Sequence, residues 1–114
     1  AIVSNAPWGS PPNLWRDELE RLRLARAVDK VILCGDVGWR KPAAQIFHRA
    51  AAEVGVPCES CIFVGDEPHW DVAGSSAVGM QAILIDREGR NPAHSGPRVR
   101  NLQELMSYLG AIVA

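Results

Sequence analysis

Three features that would place a chain in other protein classes are missing from this sequence. No apolar run approaches the length of a membrane span, and the N-terminus lacks the basic start and the long apolar stretch of a signal peptide. The net charge is only -1, so the chain has no strong positive field to attract nucleic acid or an anionic membrane. We therefore expect a cytoplasmic protein that binds neither nucleic acid nor membrane.

Cysteine is also scarce, with three residues in the chain. An odd number of thiols cannot pair completely, which favours reduced cysteines over a disulfide framework. Cys58 and Cys61 do form a C-x-x-C pattern, but a redox motif would need a helix start beside it and a zinc site would need two further ligands. The sequence shows neither, so we interpret these cysteines as buried structural thiols.

What the sequence does contain is a regular alternation of two kinds of apolar segment. Short runs rich in β-branched residues predict strands at 1–3, 30–34, 61–64 and 81–85. Apolar residues at helical spacing predict helices at 14–27, 42–55, 71–79 and 101–110, and residues 86–98 have the composition of a loop. Strands alternating with helices predict an α/β fold, with a parallel sheet and helices on both faces, in one domain of 114 residues.

Polar residues follow each predicted strand, at the edge of a parallel sheet where ligands gather. The two carboxylates Asp66 and Asp71 flank the loop after the third strand, beside Gly65, which allows close backbone approach. Crowded carboxylates resist ionisation unless a cation lies between them, and hard oxygen ligands suit Mg²⁺. Asp66 is the expected direct ligand, whereas Asp71 either binds the ion through water or caps the following helix. The competing interpretation is a turn aspartate at Asp66 and a helix cap at Asp71.

Two further segments suit an anion. Lys41 lies just before a predicted helix, where its ammonium and the free helical amides would grip the same anion. Ser4 and Asn5 follow the first strand and offer a hydroxyl and backbone amides to phosphate oxygens. The placement before a helix favours a functional Lys41 over a solvated one, whereas Ser4 and Asn5 taken alone are only a turn signal.

In this order, the motifs resemble the haloacid dehalogenase-like (HAD) superfamily. "IVSNA" looks like its Ser/Thr motif, "GDVGWRKPAAQIF" is similar to its lysine motif, and "IFVGDEPHWDVAGSSAVGMQAILIDR" is similar to its final acidic motif, GDxxxxD. The match runs from residue 1 to residue 87, nearly the whole chain. The resemblance implies a Rossmann-like core domain.

The resemblance also implies a role for each motif residue. Ser4 and Lys41 would contact the phosphoryl group of a substrate, with Lys41 also steadying the nucleophile, and Asp66 with Asp71 would hold Mg²⁺. Members that displace halide work without metal and usually lack the Gly-Asp pair of the final motif. Asp66 therefore favours Mg²⁺-dependent hydrolysis of a small-molecule phosphate ester.

The first motif of the superfamily is absent from this chain. That motif, DxDx[TV], supplies the aspartate that attacks phosphorus and a second carboxylate that acts as general acid and base. The helical cap of many relatives is absent too, because the chain starts where that cap would have ended. We therefore interpret residues 1–114 as the C-terminal part of a HAD-like core domain without a cap, and expect it to be inactive alone.

The missing motif has a structural consequence. In the superfamily the nucleophile strand lies between the strand ending at Ser4 and the strand ending at Gly65, so without it the four predicted strands would form two pairs with unpaired inner edges. Three sources would fill the slot: a missing N-terminal segment, a strand exchanged in a dimer, or residues 111–114 folding back. We favour the first.

A second functional hypothesis is a non-catalytic HAD-like module that binds an anion or a partner protein. It would use the exposed sheet edge or the tryptophans Trp8, Trp39 and Trp70, each of which lies beside one of the three motifs. These tryptophans either line a substrate entrance or pack against the loops, and the sequence favours neither role.

Overall fold

Five strands form two separate parallel sheets in the computed structural model, which describes residues 1–7 and 10–113. One sheet pairs β1 (Ile2–Ser4) with β2 (Val31–Leu33). The other has the order β3 (Ile62–Gly65), β4 (Gln81–Ile85) and β5 (Arg98–Val99). The predicted α/β class is therefore confirmed.

Helices connect these strands. They are α1 (Pro12–Arg21), α2 (Cys34–Val37), α3 (Ala44–Val54), α4 (Gly74–Ala77) and α5 (Leu102–Val113), with 3₁₀ turns at Ala25–Ala27 and Cys58–Ser60 and a π-helical segment at Pro68–Ala73. None of the helices among the described residues combines the length and the apolar character that crossing a bilayer requires.

The main core lies where α3 packs on the strands. Its buried residues include Ile46, Phe47 and Ala50 from α3, together with Ile32 of β2. A Cβ atom on Gly74 would lie 2.8 Å from the Phe47 ring, so the small residue lets α4 approach α3 closely. A second cluster, of Ile83, Val99 and Leu105, holds α5 against β4 and β5.

The C-terminus of α3 and the N-terminus of α5 lie within one residue of their predicted positions, because a neighbouring residue caps each helix. Gly55 ends α3 with a positive φ of 70°, and Asn101 caps α5 by accepting a hydrogen bond from the Glu104 amide at 2.8 Å. Helix α5 continues to Val113, so residues 111–113 do not fold back as a strand, and Ala114 lies outside the described residues.

Other boundaries differ from the prediction. The predicted helix at 14–27 starts at Pro12, with Asn13 inside it, and stops at Arg21 before the positive φ of 62° at Arg23. Arg21, in the last turn of this helix, forms an ion pair with Glu18, three residues earlier. The helix expected from Asp71 begins at Pro68, and β5 lies at the end of the segment predicted as a loop.

A gap separates the two sheets. Among the described residues, β1 pairs only with β2, and β3 pairs only with β4. Between β1 and β3 lies a cavity of about 580 Å³, lined by Ala1, Ile2 and Val3 on one side, by Ile62, Phe63 and Val64 on the other, and by Ala50, Ala51 and Val54 of α3. We call this cavity the strand slot. The unpaired inner edges were predicted, but β5 makes the second sheet three-stranded.

Candidate active site

Three loops meet at the carboxyl ends of β1 and β3. They are the segment after β1, the loop between α2 and α3 that contains Lys41, and the segment from Asp66 to Asp71. Parallel strands bring such loops to one edge of the sheet, which is why residues far apart in sequence can share a site here. Lys41 joins the three loops, because its side chain contacts Asp71 and its backbone is bonded to the Asn5 side chain.

Lys41 lies at the centre of this junction. Its Nζ atom is 2.7 Å from Oδ1 of Asp71 and donates a hydrogen bond of 3.2 Å to the carbonyl oxygen of Val3. The ammonium also lies 5.5 Å from the centroid of the Phe63 ring, and only 12% of the side chain is exposed. An ammonium has three N–H donors, and among the described residues Nζ makes one hydrogen bond, to Val3, because its close contact with Oδ1 of Asp71 lacks hydrogen-bond geometry. At least one donor therefore remains for an oxyanion beside the pair.

Asn5 fixes the backbone of Lys41 through a double hydrogen bond. The Lys41 amide donates to Oδ1 of Asn5 at 2.7 Å, and Nδ2 of Asn5 donates to the Lys41 carbonyl at 3.0 Å. Both ends of the Asn5 side chain are thus engaged in positioning Lys41. What Asn5 has left to offer a phosphate is its backbone amide and the second N–H of Nδ2.

Asp71 is buried, with 4% of its surface exposed, and it packs directly against Gly65. A Cβ atom on Gly65 would lie 2.2 Å from Oδ2 of Asp71, so glycine is required at the end of β3 for the carboxylate to take this position. The same Oδ2 accepts a hydrogen bond from the Glu67 amide at 3.1 Å.

The π-helical segment explains this orientation of Asp71. The carbonyl oxygen of Glu67 accepts hydrogen bonds from the amides of both Asp71, at 2.9 Å, and Val72, at 3.2 Å. Asp71 therefore lies inside a helical turn that began at Pro68 and does not cap a helix starting at its own position. Such π-helical turns are rare and recur at functional sites.

Ser4 and Asp66 lie at the same edge of the sheets. Ser4 is the last residue of β1 and directly follows Val3, whose carbonyl contacts Lys41. Asp66 directly follows β3 but is exposed, and it lines a separate cavity of about 330 Å³ beside Asp86. The structure thus brings Lys41, Asn5 and Asp71 into contact and places Asp66 in the neighbouring cavity.

The carboxylates of Asp66 and Asp71 are of the chemical type that binds Mg²⁺, but two of them are too few to form a site. Carboxylate oxygens are the ligands that Mg²⁺ prefers, and Asp66 and Asp71 supply them. Asp71, however, already pairs with Lys41, and the described part of the chain contains no group of three or more aspartate, glutamate, histidine or cysteine side chains able to hold a metal ion. The described residues by themselves do not complete a metal site.

Asp86 has a structural role that the sequence did not reveal. Its carboxylate accepts hydrogen bonds from the amides of Arg90 and Asn91, each at 3.0 Å, and lies 3.5 Å from the guanidinium of Arg98. Burial opposes ionisation, but the hydrogen bonds from Asn91 and Arg90 and the charge of Arg98 together lower the pKa of Asp86 below its ordinary value. The sequence feature that could have indicated this role is an aspartate at the end of a predicted strand, followed closely by the turn formers Gly89 and Asn91.

Comparison with known proteins agrees with this arrangement. The HAD-hydrolase-like family model matches residues 38–104, more than half of the chain. Phosphoserine phosphatase of Thermus thermophilus is 36% identical over 98 residues, covering 82% of this chain and 39% of that protein. Glyceraldehyde 3-phosphate phosphatase of Methanothermobacter thermautotrophicus is 33% identical over 87 residues, covering 76% of this chain and 37% of that protein. The chain spans about two fifths of the length of these curated relatives.

Solved structures share the fold. A HAD phosphatase from Thermococcus onnurineus superimposes with a TM-score of 0.80 at 35% identity, covering 87% of this chain and 46% of that one. A 2-haloacid dehalogenase from Pseudomonas syringae gives a TM-score of 0.74 at 28% identity, covering 82% of this chain and 42% of that one. The family match, the phosphatase relatives and the parallel strands together show that this chain belongs to the haloacid dehalogenase-like superfamily of hydrolases.

Proposed function

We propose that this chain supplies the phosphate-binding and metal-binding residues of a phosphatase that hydrolyses small-molecule phosphate monoesters. The observation that carries the proposal is Lys41, whose largely buried ammonium bridges Asp71 and the end of β1 and keeps at least one N–H donor available. A preorganised cation of this kind stabilises negative charge on a phosphoryl oxygen more effectively than a solvated lysine would.

The neighbouring residues have complementary roles in this proposal. The Ser4 hydroxyl and the backbone amide of Asn5 donate to the other phosphoryl oxygens. The Asn5 side chain is a positioning group, because its two hydrogen bonds hold the Lys41 backbone. Lys41 itself also orients the nucleophile, as the resemblance to the superfamily implies.

We also propose that Asp66 and Asp71 bind Mg²⁺ once a further anionic ligand enters the site. Bound Mg²⁺ would supply charge neutralisation for the phosphoryl group. Asp66 is exposed and able to reach an ion, whereas Asp71 would share its carboxylate between the ion and Lys41 or bind through water. The chain therefore contributes two carboxylates and needs a third ligand from elsewhere.

The missing ligand and nucleophile would come from a strand inserted in the strand slot. This proposal rests on the unpaired inner edges of β1 and β3, which face one cavity. An N-terminal segment outside residues 1–114 is the favoured source, and a strand from a second copy in a dimer is the alternative. Without such a strand we expect no turnover by this chain.

A dehalogenase is the nearest competing enzyme, because a 2-haloacid dehalogenase shares the fold. The Gly-Asp pair at Gly65 and Asp66 favours the phosphatase, since halide displacement in this superfamily does not use a metal. A cytoplasmic location is a further proposal, supported by the three free cysteines Cys34, Cys58 and Cys61.

A non-catalytic module that binds an anion or a partner protein is the second candidate. It is favoured by one observation, the ion pair of Lys41 with Asp71, which balances the buried charges without a metal. The two candidates differ in whether a DxDx[TV] motif lies upstream of Ala1 in the gene.

The proposal is tested by expressing the chain together with its upstream coding sequence and measuring phosphate release from a panel of phosphate monoesters with Mg²⁺. We expect Lys41→Met to lower turnover by about 100-fold or more, because it removes a donor to the developing negative charge. Asp66→Asn should abolish the metal-dependent rate, and the exposed Asp17→Asn on α1 is the matched control that should not change it. Absence of an upstream DxDx[TV] motif together with no phosphate release would show that the enzyme assignment is wrong.

A further inference from the structure

Two features singled out in the sequence are not used by the proposed phosphatase. The tryptophans are one: Trp8 lies outside the described residues, and Trp39 and Trp70 are exposed. The C-x-x-C pattern of Cys58 and Cys61 is the other. The prediction that both cysteines are buried is wrong, because each is free and only partly buried.

A tight turn brings the two cysteines together. Cys58–Ser60 forms a 3₁₀ turn, and the Cys61 amide donates a hydrogen bond of 3.0 Å to the Cys58 carbonyl. Side chains three residues apart lie over one another in such a turn, and the Cα atoms at its ends are within about 7 Å, a separation that a disulfide spans. Burial, and next to it the electrostatic interaction with Cys58, raise the pKa of Cys61, so the two thiols also interact directly.

His48 of α3 lies beside the first of these thiols. Its Nδ1 atom is 3.7 Å from Sγ of Cys58. Imidazole is a base near neutral pH, and the thiolate that it would leave behind is the nucleophilic form of cysteine. The Cys61 thiol instead donates to the Pro57 carbonyl at 3.4 Å. Cys58 is therefore suited to attack, and Cys61 to act second.

We propose that Cys58 and Cys61 form a reversible dithiol site that reacts with small disulfides of the glutathione class, with His48 as the base for Cys58. This site is independent of the proposed phosphatase, because none of the three residues belongs to the Lys41 site.

The reaction has two steps. The Cys58 thiolate, having passed its proton to His48, attacks one sulfur of the small disulfide; a new S–S bond forms, the old one breaks, and the leaving thiolate takes up that proton. Cys61 then attacks Sγ of Cys58, and the second small thiol leaves with the Cys61 proton. The cysteine pair thus loses two electrons and two protons, and the small disulfide is reduced to two thiols.

The test is to incubate the folded 114-residue chain with glutathione disulfide, alkylate the remaining thiols and weigh the tryptic peptides. Residues 50–87 contain both cysteines and end at the first Arg or Lys, so the disulfide is a loss of two hydrogen atoms from one peptide. Cys34 is the internal control: it is 1% exposed and its thiol donates to the Ala6 carbonyl, so it should stay reduced. Dithiothreitol should restore all three thiols.

Single variants assign the role of each residue. Cys61→Ser should accumulate the glutathione adduct on Cys58, whereas Cys58→Ser should react at Cys61 at least about tenfold more slowly. His48→Ala should slow the first step by about tenfold or more, and His69→Ala, which removes another exposed imidazole, should not. Melting temperatures would verify that each variant is folded.

Three results on the wild-type chain would overturn the dithiol site: no loss of the two thiols, a glutathione adduct that persists, or equal oxidation of Cys34. Equal reaction rates of Cys58→Ser and Cys61→Ser would overturn the order of attack. A His48→Ala variant that reacts as fast as the wild type would show that His48 is not the base.

Discussion

At the scale of single residues, the candidate site depends on side chains whose partners are distant in sequence. Asn5 and Lys41 are 36 positions apart, yet they exchange two hydrogen bonds. Each side chain also has few alternatives, because a buried polar group that loses its partner costs about 1–3 kcal/mol. The position of Lys41 is therefore determined jointly by Asn5, Val3 and Asp71.

The first residue-scale prediction concerns Asp86, whose pKa is lowered. Its carboxylate stays ionised in the folded chain at pH values where the unfolded chain has begun to bind protons. The stabilisation is therefore complete above the ordinary aspartate pKa of about 4 and is lost as the pH falls through the lower pKa of the folded state. Asp86→Asn should lower the melting temperature near neutral pH, and the gap to the wild type should shrink below about pH 4.

Thermal melts between about pH 3 and 7 would measure this effect. Asp17→Asn removes an exposed carboxylate and serves as the control, with a small difference expected at every pH. If the difference in melting temperature between the wild type and Asp86→Asn does not change with pH, the shape of the side chain, and not its charge, accounts for the lower stability of the variant.

At the scale of secondary structure, β1 and β3 are strands with one edge each unpaired. The Ile2 amide donates to the Lys30 carbonyl, so in a parallel ladder the amide of Val3 points away from β2, toward the strand slot. The Gln81 amide donates to the Cys61 carbonyl, and the same alternation directs the amides of Ile62 and Val64 toward the slot.

Hydrogen exchange resolved by NMR should therefore differ between neighbouring residues. We expect the amides of Val3, Ile62 and Val64 to exchange at least about tenfold faster than those of Ile2 and Phe63, which are bonded within the sheets. The compared amides belong to adjacent residues of the same strands, so a difference in their exchange rates reports which amides are bonded within the sheet. Equal protection of Val3 and Ile2 would mean that another strand already occupies the slot.

At the scale of the whole molecule, two partial sheets lie on either side of the strand slot. Helix α3 packs against both, through Ile32 of β2 and Phe63 of β3, and Lys41 contacts both Val3 and Asp71. A strand that fills the slot would pair with both edges at once. Any ligand that binds only the folded chain raises its stability, by about 2.7 kcal/mol at a concentration 100 times its dissociation constant.

We expect a polypeptide that carries the upstream DxDx[TV] segment to raise the melting temperature of the chain. The same polypeptide with proline at the centre of its strand is the control and should have little effect, because proline cannot donate to the ladder. Sedimentation of the chain alone should show a monomer. A stable dimer whose melting temperature does not change when the polypeptide is added would indicate a strand exchanged between two copies.

The sequence by itself determined the order and type of most elements and the identity of the motif residues. Periodicity records which face of a segment is buried, so α3, β4 and the cap of α5 could be predicted from local patterns. The roles assigned to Ser4, Lys41 and Asp66 came from the chemistry of these residues and from the resemblance, and they stay predictions. The two-residue strand β5 carries too little pattern to be recognised.

Only the tertiary structure decided which of these residues meet. The ion pair of Lys41 with Asp71, the engagement of Asn5 with the Lys41 backbone and the place of Asp66 in a neighbouring cavity all depend on how loops from separate strands are brought together. The strand slot likewise exists only between two folded sheets. Local sequence encodes burial within a segment, whereas distances between segments are set by the packing of the whole chain.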